Sequence, residues 1–197
     1  YSQNTFIKEY IDIGYGYFYG MQNVSNDVLL FGTRNRTSTD YKDDSSFVIK
    51  VDSIGEVIWQ KNFYFNGFGF EVFNAIATSD NYTFFGRKFY DLSDKGPNDL
   101  IYFALDKSTG NMISNSLKVF DIYNAPTNQF LNEWGISEVY NYQSNYYAIC
   151  PSGYDSWMPL VLTFDNSLNI TNVLKYIFTD GNVGINSFKI DNDNKFV

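Results

Sequence analysis

Apolar residues in this chain come in runs of five to eight positions, separated by short polar turns. Glu56-Val57-Ile58-Trp59-Gln60-Lys61 shows the alternation of a half-buried strand, and Asp27-Val28-Leu29-Leu30-Phe31-Gly32 is a continuous run of strand length. No stretch sustains a 3.6-residue apolar period with capping residues, so the pattern predicts strands and no long helix.

The strands recur in a fixed order. A strand carrying Lys appears as Phe6-Ile7-Lys8-Glu9-Tyr10, Trp59-Gln60-Lys61-Asn62-Phe63, Ser116-Leu117-Lys118-Val119-Phe120 and Val173-Leu174-Lys175-Tyr176-Ile177, with the lysines 53, 57 and 57 residues apart. A Gly-led aromatic strand reads Gly14-Tyr15-Gly16-Tyr17-Phe18, then Gly67-Phe68-Gly69-Phe70-Glu71, with Trp134-Gly135-Ile136 as a divergent third copy and Gly181-Asn182-Val183-Gly184-Ile185 as a fourth. Polar turns at Ser25-Asn26-Asp27 and Ser79-Asp80-Asn81 lead to strands closing on Gly32 and Gly86. Gln143-Ser144-Asn145 leads instead to Ile149-Cys150-Pro151, and Asp191-Asn192-Asp193-Asn194 opens a further copy. Last come strands that run into Asp-headed turns at Asp52, Asp106 and Asp165, where Asp caps local amides and Gly or Asn tolerates positive φ.

Four strands per repeat of 50 to 60 residues is the composition of a propeller blade. The expected fold is therefore all-β, a β-propeller segment of four-stranded antiparallel blades. It comprises an outer strand of a preceding blade at 4–10, blades at 17–63, 70–120 and 134–178, and the start of the next at 183–197. Such a ring typically needs about 4 to 8 blades, so closure is expected to require further chain or, less favoured, a second copy. Polar insertions at 34–46, 89–98 and 152–158 share one position between second and third strands, which puts them on one face, often the binding face of a repeat protein.

The run Ser46-Phe47-Val48-Ile49-Lys50-Val51-Asp52-Ser53-Ile54-Gly55-Glu56-Val57-Ile58-Trp59-Gln60-Lys61 resembles the blade pattern of secreted β-propeller repeat proteins. In that family a Val-Lys-Leu-Asp strand, a glycine turn and a Trp-x-Lys strand follow one another. The match is closest in the first unit; in the second, Met112-Ile113-Ser114 stands nearby without a Trp. The resemblance implies a propeller fold and, by analogy, a surface or adhesive role outside the cell.

Composition narrows the chemistry. Aromatic residues make up 20% of the 197 and apolar residues 44%, enough for a large core. A net charge of −8 argues against nucleic acid and anionic membrane surfaces, which call for a basic face. No apolar run reaches the roughly 18 residues of a membrane-spanning helix. Histidine is absent, which removes Ser/His/Asp and Cys/His triads and His-containing zinc sites. Cys150 stands alone, so no disulfide or cysteine metal site forms within the chain, and it reads as a small core residue.

The remaining candidates are sparse. A sialidase-type Asp box puts Gly two and an aromatic five residues after its Asp; here Gly55 and Trp59 follow Asp52 by three and seven. Trp59, Trp134 and Trp157 occupy non-equivalent places, so a quinoprotein-type Trp repeat is absent and they read as core or inter-blade packing. The exception is Trp157: with Tyr154 and Asp155 in an insertion loop, it is the candidate ligand contact, of a kind common for sugars. The pairs Asp43 with Asp44, Asp91 with Asp94 and Asp191 with Asp193 lie in polar loops, unlike the desolvated pairs of acid/base catalysis. The last also lacks the further oxygen ligands of a calcium loop, Lys195 standing in their place. The repeated lysines read as stems laid along an outer strand with the ammonium in water, a device that also discourages edge pairing. Asn-x-Ser/Thr tripeptides at Asn23, Asn35, Asn81 and Asn169 are candidate glycosylation sites, Asn35 foremost.

The functional expectation is a non-catalytic propeller scaffold of an extracellular or cell-surface protein, presenting loops for adhesion, assembly or structural contact. The alternatives are a carbohydrate-binding face and a carbohydrate-acting propeller with its active residues mostly outside this segment. No cofactor or metal is expected. The partners expected are other protein chains or further blades, with glycans as a further option and without nucleic acid.

Overall fold

The computed structural model describes residues 16–34, 45–65, 68–89, 99–120, 138–142, 145–150, 160–165, 167 and 169–175. Twelve strands are described, and no helix occurs among these residues. Sheet one consists of β1 (Gly16–Val24), β2 (Asp27–Arg34), β3 (Ser45–Val51) and β4 (Val57–Phe63). Sheet two consists of β5 (Gly69–Ala77), β6 (Asn81–Phe89), β7 (Asp99–Asp106) and β8 (Lys118–Phe120). Sheet three consists of β9 (Glu138–Tyr142), β10 (Asn145–Cys150), β11 (Leu160–Phe164) and β12 (Ile170–Lys175). In each, every strand pairs antiparallel with its sequence neighbour. The segments expected to form strands at 4–10 and 183–197 lie outside the described residues.

Side chains sort by the two-residue period of a strand. On β2, Leu29 and Phe31 face sheet two, while Val28 and Leu30 belong to the opposite face with Phe47, Ile49 and Val51. On β7, Ile101, Phe103 and Leu105 pack toward sheet one, while Leu100 and Tyr102 pack toward sheet three. Sheet two therefore lies between the other two. Phe31 meets Phe84 edge-on at 5.8 Å on one side, and Tyr102 meets Phe164 edge-on at 5.9 Å on the other. This double burial explains the unbroken apolar run Leu100-Ile101-Tyr102-Phe103-Ala104-Leu105, which has no wet face to encode.

The first strands of successive sheets are neighbours, since β5 packs against β1 and also against β9. Both β1 and β5 carry a bulge, between Phe18 and Gly20 and between Val72 and Asn74. In each case the bulged backbone approaches the glycine that closes the second strand. A Cβ on Gly32 would stand 1.9 Å from the carbonyl oxygen of Tyr17, and one on Gly86 would stand 1.9 Å from that of Glu71. The recurring Gly is thus a requirement of the bulge. In sheet three Cys150 holds that position, and the described β9–β10 ladder ends one pair earlier, at Ile149 and Glu138.

Gly86→Ala is expected to cost about 2 kcal/mol or more, because backbone must shift to admit the methyl group. Urea unfolding measures it; a cost under about 0.5 kcal/mol would mean the bulge does not press on Gly86.

Candidate functional site

The polar chemistry of the described residues concentrates where one sheet meets the next. It falls into two groups, near opposite ends of the strands.

One group is built on the Asp-headed turns between third and fourth strands. Asp52 Oδ1 accepts from the amides of Ile54 (3.0 Å) and Glu56 (2.8 Å). Asp106 Oδ1 accepts from the amides of Ser108 (3.1 Å) and Thr109 (2.8 Å) and from both their hydroxyls (2.7 Å each). Asp165 Oδ1 accepts from the amides of Ser167 (2.8 Å) and Asn169 (2.9 Å). These donors stabilise the ionised form. The hydroxyl and amide bonds from Ser108 and Thr109 hold Asp106 down to about 2. The Asn169 amide, with smaller help from the Lys118 charge, lowers Asp165.

Each described turn of sheets two and three receives the lysine of the preceding sheet. Lys61 Nζ donates to Asn111 Oδ1 at 2.8 Å, and Lys118 Nζ donates to the Ser167 carbonyl at 2.7 Å and to Asn169 Oδ1 at 3.2 Å. Between sheets one and two Trp59 adds a second attachment. Its indole N–H donates to the Lys107 carbonyl at 3.3 Å, and its ring covers Gly110, where a Cβ would lie 2.6 Å away. Gly110 also has φ +69°, so glycine is required there both for conformation and for space. Lys107 in turn donates to the carbonyls of Thr78 and Ser79, with its ammonium 5.5 Å from the Tyr82 ring.

The second group sits near the start of the first strands. Glu71 on β5 is buried, and its Oε2 takes Arg87 Nε and Nη2 at 2.6 Å each. Its Oε1 accepts the Tyr19 hydroxyl of sheet one at 3.0 Å. Arg87 stacks over Phe73 at 5.3 Å, and Tyr19 meets the same ring at 5.1 Å. Burial, then the Glu71 carboxylate, push the Tyr19 phenol up to about 12, against the opposing effect of Arg87. Tyr102, at the next joint, is likewise pushed up to about 12 by burial and by Asp165. Both phenols are therefore neutral hydrogen-bond donors at physiological pH. The Glu71 carboxylate is neutralised by the guanidinium beside it. The arrangement holds two first strands together.

The sequence reading meets this geometry unevenly. Trp59 is inter-sheet packing, as expected. The Lys61 and Lys118 ammonium groups make exposed contacts, and each also donates to the neighbouring sheet. The equivalence of their acceptors Asn111 and Asn169 is hidden in the sequence because they follow their Asp by five and four residues, although each closes its turn with the same carbonyl bond to the Asp amide. The Glu71–Arg87–Tyr19 group had no signal beyond opposite charges on predicted strands. Trp157, Tyr154, Asp155, Asn35 and Trp134 lie outside the described residues. Asn23 is exposed on β1. Asn81 accepts from the hydroxyls of Thr78 and Thr83 through Oδ1. Asn169 uses its amide nitrogen to donate to Asp165 Oδ2 at 3.1 Å, besides accepting Lys118. Among the described residues no group of three or more acidic or cysteine side chains is placed to hold a metal ion.

No family model and no curated protein matches the chain. Among solved structures, a mutant of Synechocystis apocarotenoid oxygenase is similar over 76% of this chain, with 10% identity and a TM-score of 0.43. The chain spans 35% of that protein's length, and a likeness at this level carries no argument about fold or function.

The Asp turns generate a pH prediction. A carboxyl held below its unfolded value contributes stability that is fully present above about pH 4 and is lost as pH falls through its folded value. For Asp106 that value is about 2. The wild-type melting temperature is expected to fall across this window, and Asp106→Asn to fall less steeply, having no proton to take up there. Parallel slopes for the two proteins would show that the Asp106 carboxylate makes no folded-state bonds.

Proposed function

We propose that the three sheets are consecutive blades of a β-propeller, and that the propeller is a non-catalytic scaffold of an extracellular or cell-surface protein that presents loops for adhesion or assembly. The observation that carries this reading is the recurrence of one joint. Sheet one meets sheet two, and sheet two meets sheet three, through a stacked aromatic core and a lysine bound to the next turn. A joint that repeats with the same partners generates a ring or a helix, and adjacency of the first strands β1, β5 and β9 favours a ring with those strands innermost.

Topology supports the loop-presenting role. The connections β2–β3, β6–β7 and β10–β11 recur at one position, and each leaves its sheet at the end opposite the Asp turns. The joint contacts described are made by strand and Asp-turn residues, so these recurring connections can vary while the joints are kept. Apolar burial and neutralised charges at the joints suit a scaffold better than a reaction centre.

Electron microscopy of the native protein tests the arrangement, with radial sheets around an axis expected and an open stack overturning it. Labelling intact cells with a membrane-impermeant amine reagent tests the location. The protein is expected to be labelled without lysis; labelling only after lysis would overturn the extracellular placement.

A further inference from the structure

Three of the Asn-x-Ser/Thr tripeptides have their asparagine among the described residues, at Asn23, Asn81 and Asn169, and the fold treats the three differently. Asn81 is half-buried, and its Oδ1 accepts the hydroxyls of Thr78 and Thr83 at 3.1 Å each. Thr83, whose hydroxyl completes that tripeptide, is buried, as is Tyr82 between them. Asn169 is exposed but engaged: its amide nitrogen donates to Asp165 Oδ2 at 3.1 Å, and its oxygen receives Lys118 at 3.2 Å. Asn23 is exposed, and its side chain makes no hydrogen bond among the described residues. Ser25, which completes its tripeptide, is exposed too.

The place of Asn23 in the stack keeps it open. It pairs with Val28, and Val28 pairs with Val51, so the three form one row across sheet one, beside the Asp52 turn. The same row of sheet two is Ala77, Tyr82 and Leu105, beside the Asp106 turn. Residues paired across strands point to one face. Tyr82 and Leu105 are buried toward sheet one, yet Ala77 stays exposed in the same row, with sheet one stacked on that face. A sheet stacked in the same register on the equivalent face of sheet one would likewise leave Asn23 in solvent.

We propose that Asn23 carries an N-linked glycan, and that Asn81 and Asn169 carry none in the folded protein. The donor is an oligosaccharide on a polyprenyl diphosphate. A bond forms between Asn23 Nδ2 and the anomeric carbon, the carbon–oxygen bond to the diphosphate breaks, and the amide gives up one proton as the lipid diphosphate leaves. A sugar on Asn23 meets solvent. On Asn169 it would crowd the carboxamide that receives Lys118, and on Asn81 it would press on the threonines that hold the amide. The glycan sits at the turn end of β1, opposite the end where the β2–β3, β6–β7 and β10–β11 connections leave. It therefore shields the turn end and leaves those connections accessible. The inference rests on the extracellular placement proposed above.

Enzymatic glycan release in heavy-oxygen water, followed by peptide mass mapping of the protein purified from its native cells, reads each tripeptide separately. Release turns an occupied Asn into an isotope-marked Asp. The Asn23 peptide is expected to be marked and the Asn81 and Asn169 peptides unmarked. Asn23→Gln is expected to lose the mark and keep the wild-type melting temperature; a clear fall would place the Asn23 side chain in a fold contact and overturn the inference. A marked Asn81 or Asn169 would overturn the selection among the three. An unmarked Asn23 would overturn the glycan itself. If the protein is then still labelled on intact cells, or another tripeptide is marked, the extracellular placement stands; if neither holds, that placement falls as well.

Discussion

Sheet two has two apolar faces, and a sheet with two apolar faces is stable only between two others. Phe70, Phe84 and Phe103 have no exposed surface on the side of sheet one, and Phe85 has none on the side of sheet three. Each such side chain is worth roughly 1.5–3 kcal/mol when removed from water. An exposed polar contact such as that of Lys61 with Asn111 is worth roughly 0–1 kcal/mol at most. The aromatic layers therefore supply the adhesion between sheets, and every other feature adapts to their stacking.

Adhesion of this kind is poorly directional, because two aromatic faces can slide. The polar contacts restrict that sliding at two places. Toward the turn end, the lysine and Trp59 engage a rigid Asp turn of the next sheet. Near the other end, Tyr19 crosses from sheet one to the Glu71–Arg87 pair of sheet two. The desolvated pair is tolerable because each Glu71 oxygen has a donor. Between the two ends the bulges on β1 and β5 reset the side-chain alternation by one residue, so Phe70 and Val72 before the bulge share a face with Ala75 after it.

The two sheet ends are thus under different constraints. At the turn end, residue types are restricted by geometry: Asp to gather amides, Gly110 to admit an indole, Asn to receive an ammonium. At the opposite end the β2–β3, β6–β7 and β10–β11 connections leave the sheets, beside the Tyr19–Glu71–Arg87 contact of the first joint. In the proposed reading this division of constraint is what allows binding to be located in loops while the stack remains the same.

Strand content, the four-strand unit and the antiparallel meander were legible in the sequence, because alternation, turn chemistry and strand length are local properties. The partners of the repeated residues were not legible. Lys61 and Asn111 are 50 residues apart, and a turn one residue longer than its equivalents hides the register that links them. Likewise, nothing local distinguishes a glycine that opposes a bulge from one that simply ends a strand. Those features depend on which backbone lies across the gap. Sequence determined what each strand is, and tertiary structure decided what each repeated side chain is for, since contact between sheets is set by stacking and not by neighbours along the chain.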